Sequence, residues 1–340
     1  MPTDVAVVSG PKIDRLAGLE VSPAEIMAAL ALVAGSVHRT PLLRCATLDD
    51  RVGATVFSKA ENLQRTGSFK IRGALHRLLR LSAEERAAGV VAFSSGNHAQ
   101  GVALAARIVG IKATIVMPTD APRVKRKATA GYGAEIVDYD RATEDREALA
   151  ARIVADRGGT VVPPFNDPLV IAGQGTVGLE IAQQLRAQDI VPDIAVLPIG
   201  GGGLASGIAI ALVDAFPAIR IVGVEPATAD DARQSLLAGS IVTIDQPVTI
   251  ADGVATQAVG THTFPILRSL VDEIVTVTDE ELLYALRFVL ERMKQVVEPT
   301  GALTTSALLE GRVDVRGKNV VSILCGGNLD LALLGRLNPT

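Results

Sequence analysis

The chain reads as an α/β protein built on parallel sheets, and three features of its sequence carry that reading. Short apolar runs alternate with longer amphipathic stretches along most of its length, the pattern of strands joined by crossover helices. Apolar residues make up 48% and charged residues 21%, with tryptophan absent, a balance suited to strands buried on both faces. Segments rich in glycine and serine directly follow several apolar runs, where the open carboxyl ends of a parallel sheet receive ligands. A length of 340 residues allows about two domains.

Taken in order, the first dozen residues read as a leader without regular structure. Ser22 caps a helix that has Pro23 at its first position and ends near Ala34, since a serine hydroxyl and a proline both suit a helix start. Strands are expected at 55–59, 89–93, 113–117, 134–137, 194–198, 220–224 and 320–324. Helices are expected at 71–81, 101–109, 124–129, 144–157 and 175–188, each with apolar residues at helical spacing. Residues 83–167 hold a compact βαβαβα set that would form a smaller lobe inserted in a larger one made of 1–82 and 168–340. Only 11 residues follow Leu329, so no regulatory module is expected after it.

A formal charge of −4 gives no basic footprint for nucleic acid or an anionic membrane. Cys45 and Cys325 are the only cysteines and lie in no metal-ligand spacing, which suits a reducing cytoplasm. The amino terminus lacks a basic region followed by an apolar core, and no apolar run reaches the roughly 18 residues of a membrane span.

Four loops carry the chemistry. In the first, Gly67-Ser68-Phe69-Lys70 places a lysine at the start of a helix, where the helix dipole disfavours a permanent positive charge. A lysine bound as an imine to an aldehyde cofactor escapes that penalty, and pyridoxal phosphate bound in this way serves as an electron sink at an amino acid's α-carbon. Alone, Lys70 is equally readable as a surface lysine. The second loop, Ser94 to Gly101, follows a strand and opens a helix whose free N–H groups suit a carboxylate. The third is Gly200-Gly201-Gly202-Gly203, where the lack of Cβ atoms lets backbone N–H groups wrap a phosphate. The fourth, Cys325-Gly326-Gly327-Asn328, places a neutral thiol after a strand. Gly200, Gly202 and Ala205, with Glu225 about 25 residues on, also fit a dinucleotide fingerprint. A nicotinamide-dependent oxidoreductase is thus the rival reading, although it leaves Lys70 without a role.

Together, residues 61–73, 94–101, 170–180, 198–204, 250–254 and 324–329 resemble the fold-type-II pyridoxal-phosphate enzymes, specifically the serine/threonine dehydratase and serine racemase family. The resemblance covers nearly the whole chain and implies two open, twisted parallel-sheet lobes with the cofactor between them. It implies that Lys70 carries pyridoxal 5'-phosphate as an imine and that Phe69 packs beside the ring. Asn97 would bind the phenolic oxygen, Gly200, Gly201, Gly202 and Gly203 the phosphate, and Cys325 the pyridine nitrogen. Ser94, Ser95, Asn97 and His98 would take the substrate carboxylate. Ser95 stands where racemases of the family use a serine as acid/base opposite the lysine, while Cys325 departs from the serine usual there. Glu225, Ala229 and Asp231 resemble the racemase-like site for Mg²⁺ or Ca²⁺, built from hard oxygen ligands. The implied activity is elimination of water from L-threonine or L-serine by a cytoplasmic homodimer. Serine racemization and 3-hydroxyaspartate dehydration are the alternatives, the latter drawing on Arg146 for a second carboxylate.

Overall fold

The computed structural model describes residues 12–337; the expected leader lies almost wholly outside them, and Lys12–Leu16 forms a 3-10 turn. The strands are β1 (Leu42–Leu43), β2 (Thr55–Lys59), β3 (Val90–Phe93), β4 (Ala113–Pro118), β5 (Glu135–Tyr139), β6 (Thr160–Val161), β7 (Ile194–Pro198), β8 (Arg220–Pro226), β9 (Glu273–Val277) and β10 (Asn319–Ile323). They form a six-stranded sheet in the order β1-β2-β10-β7-β8-β9 and a four-stranded sheet in the order β5-β4-β3-β6. Among these strands all pairings are parallel except that of β1 with β2. The chain is therefore an α/β protein with two parallel-sheet layers.

Sequence and structure agree best where strands are buried on both faces. Strands β2 and β7 fall at the expected residues, and β3, β4, β5, β8 and β10 within one or two. Three strands go beyond the expected set. β1 and β6 have two residues each, and β9 lies at a sheet edge with partial exposure along its length. Edge strands lack the continuous apolar run that marks a central one. Helix starts differ as well. The helix expected from 101 begins earlier, at Asn97, and the one from 175 at Pro168, while the one from 144 begins two residues later, at Arg146. By contrast, Pro23–Val33 starts as expected, with Ser22 and Glu25 exchanging capping hydrogen bonds at 2.7 and 3.3 Å.

The four-stranded sheet lies within 90–161, but the core beneath it draws on residues outside that lobe. Val33, Val37, Ile71, Leu75 and Leu78 pack with Val102, Ile115 and Met117 in one buried cluster. The helix Lys70–Leu79 therefore joins the two layers. Helix Pro168–Arg186 is the central beam, and glycines bring its backbone against two neighbours. A Cβ on Gly173 would stand 2.6 Å from Gly73 Cα, and one on Gly207 would stand 2.5 Å from Gly175 N. These approaches fix the helix that starts at Lys70 relative to Gly203–Ala215, the helix that follows the glycine loop.

Candidate active site

One cleft collects the four loops. Phe69, Lys70, Ser94, Ser95, Asn97, His98, Gly200, Gly201, Gly202, Gly203 and Cys325 all line it, as does Arg146. Each loop arrives from the carboxyl end of a strand or the start of a helix: the lysine helix after β2, the serine loop after β3, the glycine loop after β7 and the cysteine loop after β10.

Lys70 is the first residue of its helix, and Nζ donates to the Pro164 carbonyl at 2.9 Å. Burial lowers its pKa to about 8, against the opposing pull of Cys325 and Glu298. A neutral amine, the form that attacks an aldehyde, is therefore accessible near neutral pH. The Phe69 ring centroid lies 5.3 Å from Nζ. Across the cleft, Gly202 has φ +90°, a backbone conformation open to glycine, and a Cβ on Gly201 would collide with the Phe165 ring. The loop ends at the amino terminus of the 13-residue helix Gly203–Ala215, whose unpaired N–H groups and dipole favour an anion. Cys325 Sγ donates to the Thr300 carbonyl at 3.3 Å, and burial pushes the thiol's pKa far up. It presents a neutral partner. An amine, a bare glycine cradle and a neutral thiol around one cleft fit pyridoxal phosphate.

The serine loop is preorganized from within. Ser94 Oγ accepts from Gly96 N at 3.1 Å, and the helix behind it begins at Asn97. Asn97 Nδ2 donates to Glu298, and Asn97 Oδ1 accepts from Asn328 Nδ2 at 2.8 Å. His98 lines the cleft beside Asn97. Its ring is buried and Nε2 lies 2.8 Å from the Val162 carbonyl, while burial and the Lys70 charge lower its pKa to about 3. A ring held neutral and turned to the backbone leaves no imidazolium for a substrate carboxylate.

Two charged clusters lie beyond what the sequence reading found. Lys125 crosses to Asp252 at 2.7 Å and Glu298 at 3.1 Å. Burial opposes its charge, but Glu298 and Asp252 outweigh burial and raise its pKa. Its aliphatic stem passes over Gly96, where a Cβ would meet Cδ at 2.9 Å. The second cluster is wholly buried. Arg72 binds Glu61 at 2.8 Å and Glu180 at 2.7 Å, and Lys59 binds Glu180 at 2.7 Å. Burial works against ionization of Glu61, yet Arg72 overrides it and lowers its pKa. The available signal was Arg72 itself, a cation inside the run Ile71-Arg72-Gly73-Ala74-Leu75 where every neighbour is buried.

Glu225, Ala229 and Asp231 lie outside the cleft lining and are all buried. Glu225 accepts from the N–H groups of Ala232 and Arg233 at 3.0 and 2.9 Å, so it caps helix Asp231–Ala238 and is not free for a ribose. Asp231 Oδ2 is buried without a hydrogen-bond partner. Burial, then the charge of Asp231, raises the Glu225 pKa well above its ordinary value, and burial raises that of Asp231 to about 7. Two carboxylates held in this state, with a carbonyl nearby in sequence, fit a hard cation. Among the described residues no cluster of three or more His, Cys, Asp or Glu side chains gathers for a metal.

Residues 33–326 match the model of the pyridoxal-phosphate dependent enzyme family, and the chain belongs to that family. It is 48% identical to the L-threo-3-hydroxyaspartate ammonia-lyase of Saccharomyces cerevisiae, over 87% of this chain and 89% of that one. It is 46% identical to the serine racemase of Schizosaccharomyces pombe, over 86% and 90%. Among solved structures, a threonine deaminase from T.th. is similar with a TM-score of 0.87 and 47% identity, covering 91% of this chain and 99% of that one. The chain is thus a pyridoxal-phosphate-dependent carbon–nitrogen lyase of the dehydratase and racemase group, and the oxidoreductase reading falls. No described helix is long and apolar enough to cross a membrane.

Proposed function

We propose that the protein eliminates water from a β-hydroxy amino acid and that hydrolysis of the product then releases ammonia and a 2-oxo acid. The observation that carries this reading is Lys70, a cleft amine with its pKa lowered to about 8, facing a glycine cradle and a neutral Cys325 thiol. The bound cofactor supplies the electron sink. Lys70 takes the α-proton as general base, the β-hydroxyl leaves with a proton as water, and hydrolysis of the resulting enamine gives the oxo acid and ammonia. Ser94, Ser95 and Asn97 hold the substrate carboxylate, His98 contributing through its backbone. The Ser95 hydroxyl is the acid/base of the opposite face and carries any racemization. L-Threonine and L-serine satisfy these requirements.

A second carboxylate on the substrate is favoured by Arg146. This residue lines the same cleft and lies 5.5 Å from the Phe93 ring centroid. It is the first residue of helix Arg146–Arg157, directly after the N-cap Asp145. The likeness to a 3-hydroxyaspartate ammonia-lyase supports the same substrate. We read the lobes as 83–167 and the remainder, with closure excluding water from the site, and the assembly as a cytoplasmic homodimer. Glu225, Asp231 and the Ala229 carbonyl hold Mg²⁺ or Ca²⁺ in this reading.

A substrate panel tests the proposal. Release of 2-oxo acid and ammonia should occur with the β-hydroxy amino acids, and Arg146→Met should raise KM for 3-hydroxyaspartate by roughly tenfold or more while sparing L-threonine, the loss of one charge-assisted pair. Equal losses for both substrates would remove Arg146 from the recognition of a second carboxylate.

A further inference from the structure

The orientation of the Asn97 side chain is set by a group that cannot be reversed. Asn328 Nδ2 lies 2.8 Å from the Thr66 carbonyl and 2.8 Å from Asn97 Oδ1. A main-chain carbonyl only accepts, so the end of Asn328 that faces it must be the NH₂ group. The same nitrogen then faces Asn97, which must answer with its oxygen. The Asn97 NH₂ group is thereby turned the other way, where one hydrogen meets Glu298 and the second is left for the cleft. Without the Thr66 carbonyl, either orientation of the two amides would satisfy their mutual hydrogen bond.

The backbone around this contact is shaped to permit it. Thr66 has φ +64°, rare for a branched residue, and Gly67 has φ +71°. A Cβ on Gly67 would stand 2.7 Å from Asn328 Oδ1, so only glycine lets the amide approach. Gly327 N donates to the Gly67 carbonyl at 2.8 Å, and Ser68 bridges to Gly326. The loop that carries Lys70 and the loop that carries Cys325 are thus stitched together at the point where Asn328 reaches through. A Cβ on Gly326 would overlap Glu298 Oε1 and stand 3.2 Å from Asn97 Nδ2. Gly326 thus makes room for the Asn97 amide and its Glu298 partner.

We propose that Asn328 is a positioning residue that forces Asn97 to present an N–H donor, not a carbonyl oxygen, to the bound cofactor. The inference rests on the reading of Asn97 as the residue that binds the cofactor's phenolic oxygen. A donor there stabilizes the phenolate form, which absorbs in the visible, over the neutral phenol form, which absorbs in the near ultraviolet. An acceptor would do the reverse.

The test is a double-mutant cycle on the holoenzyme, with Asn97→Ala, Asn328→Ala and the pair, reading the ratio of visible to near-ultraviolet absorbance along with thermal unfolding of each protein. Asn97→Ala should lower the ratio roughly tenfold and Asn328→Ala roughly threefold, the range for a hydrogen bond to a charged group against a neutral one. In the pair, the Asn328 change should add nothing, because Asn328 acts through Asn97. A general loss of stability would move the unfolding temperature but would not abolish the second effect. Should Asn328→Ala fail to fold, Asn328→Leu, close in shape and without a donor, carries the cycle. An unchanged ratio in Asn97→Ala would overturn the reading of Asn97 itself. A changed ratio there, with no effect of the Asn328 variants or with fully additive effects, would overturn the role of Asn328 alone.

Discussion

At the scale of single residues, Lys70 shows how position tunes chemistry. Its ammonium stands at a helix start and in a cleft, and both circumstances favour the neutral amine. With its pKa lowered to about 8, the cofactor-free protein should take up pyridoxal phosphate at a rate that rises with pH and levels off above about 8. Stopped-flow absorbance across pH 6 to about 10.5, the last value being that of an ordinary lysine, checks this. A rate still climbing tenfold per pH unit beyond about 9 would mean that Lys70 titrates as a solvated amine. Lys70, Ser95, the glycine cradle and Cys325 were legible as cleft residues in the sequence because their loops follow apolar strands or open helices. Asn328 and Glu298 were not, because their significance lies in which atoms of other loops they touch. His98 lines the cleft with the rest of its motif, while its ring is engaged by the Val162 carbonyl, a contact between distant segments that no local pattern shows.

At the scale of elements, the helix Lys70–Leu79 is held from below by the buried ion cluster. Arg72 makes two hydrogen bonds each to Glu61 and Glu180, and Lys59 adds the Thr40 carbonyl at 2.7 Å. The cluster ties this helix to β2 and to helix Pro168–Arg186. Arg72→Met would leave Glu61 buried without its ion-pair partner and Glu180 with Lys59 alone, and breaking such a pair costs about 3–5 kcal/mol. The expected outcome is a large drop in the denaturation midpoint in urea, read by circular dichroism. A drop equivalent to about 1 kcal/mol or less would show that the carboxylates find water or protons instead. Periodicity located this helix because its apolar face is continuous. It could not show that the buried cation on that face has a partner as distant in sequence as Glu180, since pairing of that kind leaves no local pattern. The edge strands β1, β6 and β9 were hidden for the related reason that a short or half-exposed strand has no distinctive run of its own.

At the scale of the whole molecule, the two parallel layers meet along the cleft, and Lys125, Asn97 and Asn328 tie one to the other. The strands of the smaller sheet were readable as a βαβ series, but the sharing of Ile71, Leu75 and Leu78 with that sheet's core is a tertiary fact beyond local pattern. Away from the cleft, Glu225 and Asp231 form a second point of stress, with Asp231 Oδ2 buried and unpartnered. A chelator should lower the unfolding temperature of the holoenzyme, and Mg²⁺ or Ca²⁺ should restore it by mass action. Glu225→Gln should abolish the response to the cation. If the variant keeps the full response, the cation binds elsewhere.

The central claim is that Lys70 both carries the cofactor and moves the α-proton. The most direct measurement is the absorption spectrum and ammonia release of Lys70→Ala beside the wild type, each reconstituted with pyridoxal phosphate and offered a β-hydroxy amino acid. Wild-type protein should show a visible band and release ammonia with 2-oxo acid in equal amounts. Lys70→Ala should lack the covalently held band and release no ammonia above the uncatalysed rate while keeping the wild-type fold by circular dichroism. A folded Lys70→Ala that still held the cofactor covalently after borohydride reduction, or that still released ammonia, would place the cofactor on another lysine and contradict the account.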